Sequence, residues 1–185
     1  MQTSPYWKWD GDLPEAVLAL LDADLAKAIA DNPAQGTVGT AGNLEVHLER
    51  RDVCISFAPV SYWFTGVLAH YASLANSVAQ WRRTVTGTEQ LQFTKYTEGQ
   101  HYDWHSDIAP GDVSPVRRKL SVVCLLSDPS EFEGGSLEIE GVEIEGGLKR
   151  GSVIVFPSEY RHRVTPVTKG IRRTLVLWLS GPYNP

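Results

Sequence analysis

Cysteine is scarce: the chain has 185 residues and two of them, Cys54 and Cys124. They form no Cys-x-x-Cys pair, which excludes a thiolate zinc site, and two are too few for a disulfide framework. Each lies in an apolar, strand-like run, where a buried free thiol is expected first and a disulfide second. Positive charge is also short, with 17 Lys and Arg against 22 Asp and Glu and a net charge of -5. Such a chain has no general attraction for nucleic acid or an anionic membrane. Its basic clusters, Arg82-Arg83 and Arg117-Arg118-Lys119, read as solvated surface. No apolar run is long enough to cross a bilayer. The opening MQTSPYWKWDGD has no charged stretch leading into an apolar one, so no signal peptide is expected. Together these absences point to a reducing, cytoplasmic setting.

What is present suits one globular domain with a real core. Residues 13–32 read as a helix, with Asp12 as N-cap, Glu15 completing a capping box, and a stripe of Leu18, Leu21, Leu25 and Ile29. A second helix is expected over 64–82, burying Val67, Tyr71, Leu74, Val78 and Trp81. Short strands fall near Glu45–Leu48 and Val53–Phe57. Beyond residue 90 the runs LQFTKY, HYDWHSDI, KLSVVCLL, SLEIE, SVIVF, HRVTPV and RTLVLWL alternate with Gly, Pro and Asp turns. That spacing predicts a β sandwich or jelly roll, and the near-repeat LEIEG-VEIEG predicts a small hairpin.

Five histidines are present: His47, His70, His101, His105 and His162. A lone histidine is usually a hydrogen-bonded structural residue, which is the reading for His70 and His47. The stretch HYDWHSD is different. It holds two His-x-Asp triplets, His101-x-Asp103 and His105-x-Asp107, and on an extended chain all four side chains fall on one face. Such a row is costly to bury unless it is paired or binds a metal. A His, a carboxylate and a second His from elsewhere can hold iron(II) on one face and leave the other open. His162, after the strand SVIVF, can be the distant ligand. In IRRTLVLWL, Arg172 shares a strand face with Val176 and Trp178. A buried guanidinium there needs an anion, either a small dicarboxylate or one of the chain's own acids.

With these residues in place, the chain resembles the iron(II)- and 2-oxoglutarate-dependent dioxygenases, in particular their prolyl 4-hydroxylase-like branch. The resemblance runs over about residues 91–181, in YTEGQHYDWHSD, RKLSVVCLLSDPSEFEGGSLEI and GSVIVFPSEYRHRVTPVTKGIRRTLVLW. It implies an α+β protein: a double-stranded β-helix (jelly-roll) core over about 91–181, with the N-terminal helices of about 1–90 packed outside it, in one domain. Its register assigns iron to His105, Asp107 and His162 and leaves His101 and Asp103 on variable positions. It implies Arg172 as anchor for 2-oxoglutarate, with Tyr96, Ser121 and Trp178 lining the co-substrate pocket. It also implies use of O2, release of succinate and CO2, a need for ascorbate, and a proline-containing peptide as substrate. The family's collagen-type branch carries lysine where this chain has Arg172. A free amino acid or other small molecule is the alternative substrate, and a non-catalytic metal-binding jelly roll the alternative role. Residues 108–116, IAPGDVSPV, form a loop that can cover a substrate or serve as an ordinary turn.

Overall fold

The computed structural model describes residues 3–31, 34–35, 51–109 and 111–183, with side chains placed at 3–25, 53–109 and 111–183. Its elements are β1 (Trp7–Trp9), α1 (Glu15–Asp31), β2 (Ala34–Gln35), β3 (Arg51–Asp52), β4 (Cys54–Ala58), α2 (Trp63–Val78), β5 (Gly87–Thr88), β6 (Leu91–Tyr96), β7 (His101–His105), β8 (Val116–Leu125), β9 (Phe132–Gly134), β10 (Leu137–Ile139), β11 (Val153–Pro157), β12 (His162–Val164), β13 (Val167–Gly170) and β14 (Arg172–Pro182). The strand expected at Glu45–Leu48, with His47, lies outside the described residues, as do the side chains of Ile29 and Pro110.

Two sheets dominate. The larger has eight strands in the order β1-β11-β8-β14-β6-β4-β2, with β5 added on β14, and the smaller runs β10-β12-β7-β3. The described pairings are all antiparallel. The described residues thus form mostly antiparallel β-sheet with two α-helices. On β14 the alternation of a strand sorts the side chains. Leu175, Leu177 and Leu179 join the core with Leu18, Leu21 and Leu25 of α1 and Phe64, Leu68, Ala72 and Ala75 of α2. Arg172, Thr174, Val176 and Trp178 point the other way, into a cavity that also meets Leu137 and Val164 of the smaller sheet. Among the described residues no helix is long and apolar enough to cross a membrane.

Several local expectations shift. α1 begins at Glu15, because the Pro14 carbonyl accepts the first helical bonds from Val17 and Leu18. Proline fits that first turn, where an N–H has no partner anyway. Asp12 is therefore not the cap. Its carboxylate accepts from the Tyr71 hydroxyl at 2.8 Å, while Glu15 pairs with Arg150 at 3.1 Å. α2 ends at Val78, and Gln80 and Arg82 follow in the left-handed region, so Trp81 lies past the helix. The buried face of α2 is Phe64, Leu68, Ala72 and Ala75, one residue out of phase with the expected stripe. Leu74 and Val78 are 41% and 50% exposed. Small alanines let the helix approach the sheet closely, and that contact outranks the larger neighbouring stripe. Cys54 is exposed, contrary to expectation, because its strand turns it outward; Cys124 is buried, and burial pushes its thiol up to about 12. The expected hairpin at Leu137–Ile144 shrinks to a turn closed by one Ile139–Val142 bridge.

Candidate metal centre

The centre is built where β7 and β12 pair. His162 stands opposite His105, and Val164 opposite Tyr102. One residue more on β7 than on β12 separates those two pairs, so the ladder carries a bulge over Asp103 and Trp104. A bulge breaks the alternation of faces and re-aims side chains, as strands often do beside functional sites. It puts Tyr102 and His105 on the inner face together. The expectation that His101, Asp103, His105 and Asp107 share one face therefore fails: Asp103 is exposed and His101 lies against the Gly99 carbonyl at 3.4 Å. Trp104 points outward too, with the Arg163 guanidinium 4.8 Å from its ring. Tyr102 is a fixed position of the motif Tyr-x-x-Gly-x-x-Tyr-x-x-His-x-Asp that YTEGQHYDWHSD follows, but its stacking on His105 depends on the bulge, which the alternation of a regular strand does not predict.

His105, Asp107 and His162 converge, one ligand atom from each lying within 4.8 Å of the others. His105 Nε2 is 3.8 Å from Asp107 Oδ1, and His162 Nε2 is 3.5 Å from Oδ2, with all three side chains less than a tenth exposed. Backbone carbonyls fix both rings: His105 Nδ1 meets Asp103 O at 2.7 Å and His162 Nδ1 meets Tyr160 O at 3.0 Å. A carbonyl only accepts, so each Nδ1 carries a proton and each Nε2 faces the centre, where a metal could take its lone pair. Tyr102 stacks on the His105 ring at 3.5 Å, and Phe156 meets His162 edge-on at 4.8 Å. Burial pushes the Asp107 carboxyl upward, but His162, His105, Arg118 and the Ser121 hydrogen bond outweigh it and hold the group below its ordinary value. Ser121 Oγ donates to Asp107 Oδ2 at 2.6 Å and lies 2.9 Å from Ser158 Oγ. The Asp107 amide donates to the Ser158 carbonyl at 3.1 Å. Two imidazoles and a fixed carboxylate on one side of a cavity are a fitting donor set for iron(II), which would take the place of any proton on Nε2.

At the far end of the same cavity lies Arg172, 2% exposed. No carboxylate of the described residues comes within the 4.0 Å of an ion pair, and the Tyr96 ring lies 5.4 Å away. Burial lowers the guanidinium's pKa, against a smaller pull from Tyr96. Arg173 points to the opposite face and pairs with Asp22 at 3.0 Å and Glu131 at 3.7 Å. Gly170, at φ 77°, sets up this arrangement: a Cβ there would stand 2.0 Å from the Glu131 carbonyl oxygen. Trp178 lines the metal end, 7% exposed, and its Nε1–H has no partner among the described residues. Arg118, expected on the surface, stacks 3.8 Å from the Trp178 ring and holds Glu89 in a fork of 2.7 and 2.6 Å. A second register shift, on β8 beside Leu179 and Ser180, turns Arg118 to that inner face with Ser121. The start of β8 is tied to the end of β14, where Tyr183 N donates to Pro115 O at 2.9 Å and Arg117 lies over the Tyr183 ring.

Residues 91–180 match the model of the 2OG-Fe(II) oxygenase superfamily. A PKHD-type hydroxylase of Acidovorax ebreus (strain TPSY) is 37% identical over 95 residues, 48% of this chain and 42% of that protein. The chain thus spans less than half the length of that relative. The viral collagen prolyl hydroxylase of Paramecium bursaria Chlorella virus-1, solved as a 2OG complex, superimposes with a TM-score of 0.73 at 18% identity, covering 96% of this chain and 97% of the other. A Trichoplax adhaerens prolyl hydroxylase, solved with a hypoxia-inducible factor peptide fragment, gives 0.68 at 18% identity over 95% and 83%. At such identities the likeness is one of fold.

Proposed function

With residues 91–180 a domain of the 2OG-Fe(II) oxygenase superfamily, we propose that the protein is an iron(II)- and 2-oxoglutarate-dependent dioxygenase that hydroxylates a peptidyl proline. One observation carries the reading: a convergent His105-Asp107-His162 set and a buried arginine without a carboxylate partner stand at opposite ends of one cavity. A bare structural metal site has no use for the second. We read the paired sheets as a double-stranded β-helix core over about 91–181, supported by the helices of about 1–90, in one domain.

His105 and His162 would hold iron through Nε2 and Asp107 through a carboxylate oxygen. When bound, iron and 2-oxoglutarate supply the oxidising power: O2 is consumed, the oxo acid becomes succinate and CO2, and one oxygen atom enters a substrate C–H bond. Arg172 would receive the distal carboxylate of the oxo acid, in a cavity that Tyr96, Thr174 and Val176 also line. Ser121 orients the Asp107 carboxylate and so keeps the open side of the centre facing the cavity. Tyr102, Trp178 and Val123 shed water from the reacting end. Flat aromatic walls of this kind suit the ring of a proline presented on an extended peptide. The collagen and hypoxia-factor names of the structural neighbours agree with a peptide substrate. Ascorbate would be added with iron(II) to sustain activity.

The test is succinate release from 2-oxoglutarate against a panel of proline-containing peptides and free amino acids, followed by mass spectrometry for one added oxygen. Oxygen on a peptidyl proline is expected. Oxygen found only on a free amino acid would move the substrate to the small-molecule class and keep the chemistry. No succinate with any member, from iron-loaded protein, would overturn the enzyme.

A further inference from the structure

Resting on that reading, we propose that Arg172 has a second approach: a side portal through which small dicarboxylates reach and leave the guanidinium without passing the metal ligands. A hollow of about 230 Å³ lies on the other flank of Arg172, bordered by Phe132, Gly135, Ser136, Leu137 and Leu148. Arg172 and Leu137 line both this hollow and the metal cavity, so these two side chains form the partition between them. The partition is thin. Gly135, at φ 59°, runs so close over the arginine stem that a Cβ there would stand 2.8 Å from Arg172 Cδ.

Charge and mobility favour traffic through this wall. Arg172 is the one charged residue among those lining the hollow, so an anion entering it meets attraction and no lining carboxylate. The guanidinium is buried without an ion-pair partner among the described residues, and it gains by meeting an anion from either side. Leu137 is half-buried at the start of the three-residue β10, and Ser136 beside it is exposed. A change of rotamer at a leucine in such a place is fast. The portal allows succinate to leave, and fresh 2-oxoglutarate to enter, while a peptide still covers the metal end.

A portal alters rates and leaves affinity alone, because residues at its mouth do not touch the bound ligand. Iron-loaded protein, kept free of oxygen, is mixed with 2-oxoglutarate or with succinate, and tryptophan fluorescence follows binding, Trp178 being in the cavity wall. Ser136→Phe and Leu148→Phe narrow the hollow, and Leu148→Ala widens it. The narrowed variants are expected to slow association and dissociation together, severalfold, at unchanged Kd, and the widened one to speed both. A second arm adds a saturating proline peptide to the parent protein; 2-oxoglutarate should still exchange from it. Unchanged rates in folded variants, a Kd that moves without the association rate, or exchange abolished by peptide would each overturn the portal and spare the oxygenase. A parent protein that binds no dicarboxylate would overturn both.

Discussion

The rings of Tyr102 and His105 lie face to face, their centroids 3.5 Å apart and their planes 13° from parallel. Residues three apart on a regular strand would point to opposite faces. The bulge in β7 alone makes the pair possible, and the same bulge sends His101 and Asp103 out of the cavity.

That sorting of faces predicts which triplet binds metal. His105→Ala, Asp107→Ala and His162→Ala should each abolish the binding of one equivalent of iron(II), measured by anaerobic titration calorimetry. His101→Ala and Asp103→Ala should retain it; Asp103 supplies only its backbone carbonyl to His105. A His101→Ala protein without metal beside a His105→Ala protein with it would invert the assignment.

The two arginines at the start of β14 should behave differently. Arg172→Ala removes the charged partner of a buried carboxylate, a loss of about 3–5 kcal/mol for a broken buried pair. The 2-oxoglutarate requirement should rise on the order of a hundredfold or more, with iron binding unchanged. Arg173→Ala loses half-exposed pairs with Asp22 and Glu131, and should lower stability by about 0.5–1 kcal/mol while leaving that requirement nearly as it was. Equal effects on 2-oxoglutarate binding would refute the difference in face.

Ser121→Ala deletes the hydroxyl that steers Asp107. Partners of this kind, one step removed from the metal, typically change metal affinity about 10–100-fold. Competition with a metal-sensitive dye should show that loss, and Ser121→Thr should recover most of it. Full affinity in the alanine variant would mean that Ser158 and the strand backbone suffice.

The helix ties give a pH signature. Burial first, then bonding to Asp12, raises the Tyr71 hydroxyl from 10.0 to about 12; burial first, then Asp24, does the same for Tyr62. A group whose pKa is raised on folding contributes its full stability below the unfolded value and loses it as pH rises through the folded one. Urea midpoints should therefore fall between pH about 10 and about 12, and fall less steeply in Tyr62→Phe and Tyr71→Phe. Both tyrosines are only partly buried, so solvent screens the effect and the change is a modest share of the whole. A parent midpoint flat across that window would contradict it.

Much of the site was legible because the residues that carry it are chemically expensive elsewhere. A His-x-Asp with a distant His, and an arginine on an apolar strand face, have few cheap explanations, and RTLVLWL and SVIVF read as buried strands from composition alone. What escaped depends on relations between strands. The two bulges that admit Tyr102 and Arg118 are register shifts, and the sequence of one strand does not contain its neighbour's register. The phase of α2 escaped for a similar reason: two apolar stripes adjoin, and the sheet's need for close approach selected the one with alanines. The exposed Cys54 and the Asp12 side chain taken by Tyr71 were likewise settled by partners distant in sequence.

The pairing of His105 with His162 also bears on the order of events in folding. The candidate ligands come from two segments far apart along the chain, and no short segment carries the full set. Contacts of such long range form late, after the cost of closing the intervening chain has been met. A metal that recognises only the finished arrangement has little to hold in the transition state. It should act as a brake on unfolding, lengthening the lifetime of the native protein while leaving the refolding rate almost untouched.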